Sequence, residues 1–174
     1  SDGGLNADMD VFFASVRNAQ PTSEPRVRYD RTSGRWFVTV INFSDTLSNN
    51  RVLIAVSSSG TISIGTIWTF YYFEHDLDQP SGDANLFFDY PTLGVDANGL
   101  VIGGNLFDTT GAYTGTTVHV ARKSQLLSGV GGDLATGGHV VAYRNLTGTP
   151  GGAGPYSPQG VDNLSASAST ESWA

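Results

Sequence analysis

The sequence predicts an all-β protein built from repeated antiparallel four-stranded units, and three observations carry that prediction. A proline-led segment recurs: Glu24-Pro25-Arg26-Val27-Arg28-Tyr29-Asp30 is matched by Tyr90-Pro91-Thr92-Leu93-Gly94-Val95-Asp96 and, more loosely, by Ser157-Pro158-Gln159-Gly160-Val161-Asp162. The prolines are almost evenly spaced (91 − 25 = 66; 158 − 91 = 67), a fixed period of the kind given by one supersecondary unit stacked on itself. Composition agrees, since 39% hydrophobic and only 14% charged residues with 22 Gly describe a turn-rich β chain better than a helical one.

Taken in order, Val11-Phe12-Phe13-Ala14-Ser15-Val16 reads as a short apolar strand without a partner before it. Pro25 opens the next strand, where no ladder donor is needed, and Val27 and Tyr29 alternate with Arg26, Arg28 and Asp30 at the period of a half-buried strand. Thr32-Ser33-Gly34 makes the turn into Trp36–Phe43, the most β-prone run in the chain. Arg51–Val56 and Ile67–Phe73 form a second hairpin, and a loop from His75 to Phe88 ends the first unit. The second unit starts at Tyr90, turns at Asn98-Gly99 between two apolar runs, and continues through Leu100–Phe107, Thr116–Arg122 and Val140–Tyr143. Lys123–Leu127 has room for one helical turn at most, and no segment sustains a helical period. The resulting division of a single domain, 1–174, is a last strand of a preceding unit in 1–23, units in 24–88 and 89–155, and the start of another in 156–174, where Ser172-Trp173-Ala174 reads as a second strand.

A formal charge of −7 argues against nucleic acid as a partner, which normally requires a basic face. No apolar run approaches the length of a membrane-spanning helix, so no transmembrane segment is expected. The chain has no Cys, which excludes disulfides and thiolate metal sites. Low Lys with high Gly, Ser, Thr and Asn leans towards an extracytoplasmic location, periplasmic or secreted.

Four antiparallel strands in each period are what a β-propeller blade would give. Pro25–Asp30 with Ser33–Phe37, Leu53–Ser57 with Trp68, and Asp89–Asp96 resemble the blades of exported bacterial β-propellers of the broad sialidase-like, BNR-type kind. Complete propellers have about four to eight blades. Here 174/66.5 gives about 2.6, so the resemblance implies an incomplete ring that other subunits or further chain would complete.

Catalytic chemistry of that family requires an arginine cluster, a tyrosine–glutamate pair and an aspartate acid/base. Arg26, Arg28 and Arg35 lie close in sequence, but Arg26 and Arg28 fall on the strand face opposite Tyr29, and solvated strand arginines explain them better. The Arg-Ile-Pro opening is absent, and Asp30–Trp36 only echoes the Asp-box, Ser-x-Asp-x-Gly-x-x-Trp. Asp76, Asp78 and Asp83, with Gly82, form an acidic loop whose carboxylates are candidate Ca²⁺ ligands, although the spacing is not that of an EF-hand. Asp30, Asp96 and Asp162 recur before turns, as turn caps do. His75, His119 and His139 are scattered without metal-ligand spacing, and no nucleophile elbow or phosphate loop is present.

Trp68–Phe73 places aromatics on both strand faces, as packing between stacked sheets would require; the competing reading is an exposed platform for sugar. Asn42-Phe43-Ser44, Asn145-Leu146-Thr147 and Asn163-Leu164-Ser165 match the glycosylation triplet, which would matter only in a eukaryotic secretory protein. The expectation is therefore a non-catalytic, extracytoplasmic interaction or scaffold module, an accessory subunit of a larger membrane-associated complex. Its open ends, Val11, Phe12, Phe13 and Trp173, would meet protein partners. The alternatives are part of a sialidase-like glycosidase or a carbohydrate-binding propeller, and no cofactor is expected beyond Ca²⁺.

Overall fold

Two predominantly antiparallel sheets packed face to face make up the fold of this computed structural model, which describes residues 7–44, 46–146 and 154–162. The first sheet is the meander β1 (Thr22–Asp30), β2 (Arg35–Asn42), β3 (Arg51–Ser57) and β4 (Trp68–Glu74). In the second sheet, β5 (Phe87–Asp89) and β6 (Gly94–Val95) both pair with β7 (Gly99–Phe107). The order then runs outward through β8 (Tyr113–Arg122) to β10 (Val140–Tyr143). Between the last two lie α2 (Lys123–Leu126) and β9 (Gly132–Asp133), and β9 returns to the first sheet to pair in parallel with β4. Among the described residues neither sheet closes on itself.

The all-β class and the main predicted strand segments are as expected from period-two alternation. Phe37, Ile41, Val52, Ile54, Val56, Tyr71 and Phe73 come from alternate positions of β2, β3 and β4, and their shared face packs on Leu100, Ile102, Leu106, Ala121 and Val140 of the second sheet. The aromatic β4 is used on both faces. Tyr71 and Phe73 enter this central core, while Trp68, Phe70 and Tyr72 join a smaller cluster on the outer face of the first sheet.

The apolar run Val11–Val16 is not a strand. Met9–Phe12 is a helical turn, α1, started by Asp8, whose carboxylate accepts from the Asp10 amide at 2.7 Å in an N-cap. So short an apolar run has no periodicity that separates a strand from a buried helical turn, and its packing decides the matter. Here Phe13 and Val16 pack over Val40, Leu53 and Ala55, and Phe12 sits edge-on to Trp68 and Phe70 at 5.2 and 5.1 Å. The loop predicted from His75 to Phe88 also ends in a short strand, β5, so the second sheet begins before residue 89.

The three proline-led segments share one backbone feature. The residue before each proline adopts the same left-handed conformation: φ is 57° at Glu24, 52° at Tyr90 and 51° at Ser157. Such angles are rare outside glycine and persist only where the surroundings impose them. In the second copy the kink separates β5 from β6; in the first it accompanies a bulge between Ser23 and Arg26. Asp30 and Asp96 then cap matching turns, Asp30 accepting from the amides of Thr32 and Ser33 and Asp96 from those of Asn98 and Gly99. The third copy, Pro158–Asp162, lies across β6 and β7. Thr92 Oγ1 donates to Pro158 O at 2.6 Å, the Val95 amide donates to Asp162, and Gly94 and Gly160 approach so closely that a Cβ on either would meet backbone atoms within 2.9 Å. Ser172–Ala174 and the Asn163 triplet lie outside the described residues.

A buried ion pair joins the two sheets. Lys123, buried just past β8, places Nζ 2.6 Å from Asp30 Oδ2 on the first sheet and donates to Asp96 O at 2.7 Å. Burial works to raise the Asp30 pKa, but the hydrogen bonds from Lys123 and Ser33 and the lysine charge together outweigh it and hold the carboxyl below the usual range. Removing one partner of such a pair strands the other without solvent. Lys123→Met should therefore cost about 3–5 kcal/mol in a denaturant titration, and Asp30→Asn in the same chain should restore part of the loss. Gly104 packs against Phe88 so tightly that an added Cβ would lie 2.3 Å from the ring, whereas Gly115 has open space. Gly104→Ala should lower stability by about 1–3 kcal/mol, with Gly115→Ala as the near-neutral control.

Candidate functional site

Two places concentrate chemistry: the acidic loop after β4 and the outer face of the second sheet. The loop holds all three predicted calcium ligands, and the fold commits them differently. Arg144, just past β10, reaches into the loop with a nearly buried guanidinium. Its Nη2 donates to Asp78 Oδ1 at 2.7 Å and to His75 O at 2.8 Å, its Nε donates to Pro80 O at 2.6 Å, and its Nη1 pairs with Asp83 Oδ2. Thr117 Oγ1 of β8 donates to the same Asp83 oxygen, and His119, two positions on, donates from Nδ1 to Asp78 Oδ2 at 2.5 Å. Asp76 is held separately by Asn49 Nδ2 at 2.5 Å, and burial raises its pKa. Among the described residues no group of three or more His, Asp or Glu side chains is arranged to hold a metal ion. Asp78 and Asp83 already have a cation between them.

The histidines that look scattered in sequence are partly gathered by the fold. His75 and His119 both lie against the Phe88 ring, at 5.8 and 5.0 Å, and both are fully buried; His139 is elsewhere, on the approach to β10. Among the described residues His119 Nε2 has no hydrogen-bond partner, and Phe73 packs on its ring. An Asp–His pair with a free Nε2 is two thirds of a nucleophile-activating triad. At zero exposure for both members it has no face to offer a substrate, and its evident work is to fasten the loop to β8. Arg144 had no sequence signal, because its partners Asp78 and Asp83 belong to a loop on the far side of the whole second sheet in chain order.

Burial, and then the neighbouring His119, push the His75 pKa down to about 3. The unfolded chain thus binds a proton that the folded chain refuses between about pH 6.5 and pH 3. Stability contributed by this site is complete above pH 6.5 and falls as the pH drops through that window, by on the order of 4 kcal/mol at its foot. Denaturant titrations from pH 7 to pH 4 should show a shallower loss for His75→Gln than for the wild type. Arg144→Met should leave Asp78 and Asp83 buried without their cation, lower stability by about 3–5 kcal/mol, and speed hydrogen exchange in residues 76–86.

The outer face of the second sheet is the other site. Alternation sends Val101, Gly103, Asn105, Val118, Val120, Val141 and Tyr143 to this side, in the registers Val101–Val120–Val141 and Gly103–Val118–Tyr143. Residues 155–162 cover β7 and the start of β8: Thr116 Oγ1 donates to Pro155 O, Asn105 bonds Ser157, and Pro158 packs on Gly103. Among the described residues the β10 side remains open, with Val141 43% and Tyr143 56% exposed beside a cleft of about 240 Å³ lined also by Val120, Arg122 and His139.

The interface residues expected at the start of the chain are used internally. Phe13 is fully buried and Phe12 only partly covered, leaving Val11, 68% exposed, as the one that faces outward; Trp173 lies outside the described residues. The aromatics Trp68, Phe70 and Tyr72 are likewise partly covered by α1 and do not form an open platform. A polar cleft of about 290 Å³ near Asn18, Asn42, Asn49, Asn50 and Glu74 has its Asn42, Asn49 and Asn50 amides already bonded to neighbouring backbone or to Asp76. No helix among the described residues is long and apolar enough to cross a membrane. Compared with protein-family models, curated proteins and solved structures, the chain matches none.

Proposed function

We propose that the chain is a non-catalytic interaction or scaffold module of propeller-type blades that works outside the cytoplasm as an accessory subunit of a larger assembly. The observation that carries this reading is the open half of the second sheet. Val141 and Tyr143 expose apolar surface on a face whose other half is covered by residues 155–162, and the sheet beneath it is otherwise core. Exposed apolar side chains grouped beside a cleft on a rigid sheet offer a surface for another protein. The acidic charge of −7 favours a basic partner surface, and the low-Lys, Gly/Ser/Thr/Asn-rich composition supports an exported setting.

The reading is tested on protein isolated from its source under non-denaturing conditions, by light scattering and crosslinking with mass spectrometry. A particle well above the 18.4 kDa of one chain, with crosslinks that map to the strand bearing Val141 and Tyr143, is the expected result. Val141→Thr with Tyr143→Ser should release the chain from that particle without lowering its own melting temperature by more than about 2 °C. A native protein that travels alone, unaffected by the double substitution, overturns the proposal.

A further inference from the structure

The occupant of the open face is specified by the sequence repeat itself. A shift by one interval of that repeat (91 − 25 = 66) carries Phe37, Thr39, Val52 and Ile54 onto Gly103, Asn105, Val118 and Val120. The first set lies on the face of the first sheet that meets the second sheet; the second set lies on the outer face of the second sheet. The outer face is therefore the equivalent of a face that, one unit earlier, is covered by the antiparallel sheet of β5 to β8 and β10.

The same shift exposes one unmatched charge. Asp30 Oδ2 receives Lys123 from the following unit at 2.6 Å. Asp96, its equivalent, caps its own turn with Oδ1 alone, which accepts from both the Asn98 and Gly99 amides, and its Oδ2 is buried without a hydrogen-bond partner among the described residues. A buried carboxylate oxygen left without a donor is costly, and its counterpart one unit earlier is supplied with one by a lysine. The third copy of the proline segment already lies on the second sheet, with φ of 51° at Ser157, its backbone against Gly94, and Asp162 paired with Arg28 at 3.2 Å.

We infer that the open face docks a further four-stranded antiparallel unit of this same repeat, which carries a lysine or arginine onto Asp96 Oδ2. The inference rests on the interface reading above and names its partner. A second copy of this chain does not meet the requirement. Its first sheet has Ser57 where the second has Lys123, since 123 − 66 = 57, and the face it would present is covered by Phe12, Phe13 and the rest of the α1 cluster.

The probe is the chain's own second unit. The full chain is extended by inserting a duplicate of residues 97–162 directly after Asp162, ahead of residues 163–174, which keeps the register of the repeat and delivers a duplicate of Lys123 to the position facing Asp96. Hydroxyl-radical labelling of Tyr143 is expected to fall about tenfold relative to the unextended chain, as expected for a side chain passing from half-exposed to core. Asp96→Asn is expected to change sign between the two proteins. In the unextended chain it removes an unpaired buried oxygen charge while keeping the turn cap, so the melting temperature should hold or rise. In the extended chain it should lower the melting temperature by about 4 °C or more, and methionine in place of the duplicated lysine should do the same.

An extension that stays unfolded with Tyr143 still labelled overturns the inference, and so does an Asp96→Asn effect identical in both proteins. Self-association of the unextended chain through Tyr143 would make a second copy the occupant and overturn it as well. Each of these leaves the interface reading standing if the native particle still crosslinks at Tyr143, so the two can fail separately.

Discussion

Lys123 is the constraint on which the arrangement of the two sheets depends. Hydrophobic contact between two sheets is non-directional and would tolerate sliding, whereas an ammonium in hydrogen-bond contact with both Asp30 Oδ2 and Asp96 O fixes the turn after β1 against the turn after β6. Each contact tolerates little displacement, because Lys123 and Asp30 are both buried and neither has water to fall back on. The glycines Gly94 and Gly160 act in the same sense at the backbone level. Where they pass each other there is no room for a side chain, so the third proline-led segment can lie on the second in essentially one way.

The sequence showed its strands clearly wherever a strand is a local matter. Val27 and Tyr29, Trp36–Phe43 and Leu100–Phe107 alternate or form apolar runs because their faces are set by period two; the even spacing of the prolines was legible too, but not the left-handed residue that precedes each of them. The failures are of another kind. Whether Val11–Val16 became strand or helix was decided by packing rather than by pairing: β1 has no strand on its second edge among the described residues, yet the run folds as a helical turn whose Phe13 and Val16 pack on the outer face of the first sheet. The parallel addition of Gly132-Asp133 to β4 joins segments far apart in the chain, across a Gly-rich loop that carries no period at all.

The acidic loop shows the same division at the level of a site. Three aspartates close together are visible in sequence, and a divalent cation is a reasonable way to satisfy them. What sequence could not display is Arg144, which arrives from the end of β10 and binds two of the three. Its planar fork reaches Asp78, Asp83 and the carbonyls of His75 and Pro80 together, a set that a lysine could not span. A fixed internal cation does for this loop what calcium does elsewhere: it converts mutual carboxylate repulsion into a clamp, here between the loop and the second sheet.

The two outer faces of the sandwich differ in how they are finished. On the first sheet, α1 folds back and its phenylalanines cover Trp68 and Phe70, so that face is completed within the chain. On the second, residues 155–162 cover β7 and the start of β8, with Asp162 paired with Arg28 and Val95, while the β10 side stays open among the described residues. Asp96 separates the two cases. An apolar face alone names no partner, because any apolar surface will cover it. A buried carboxylate oxygen without a donor, at the position where the previous unit receives a lysine, asks for a cation at one point on that surface and so narrows an unspecific patch to a partner of one charge and one geometry.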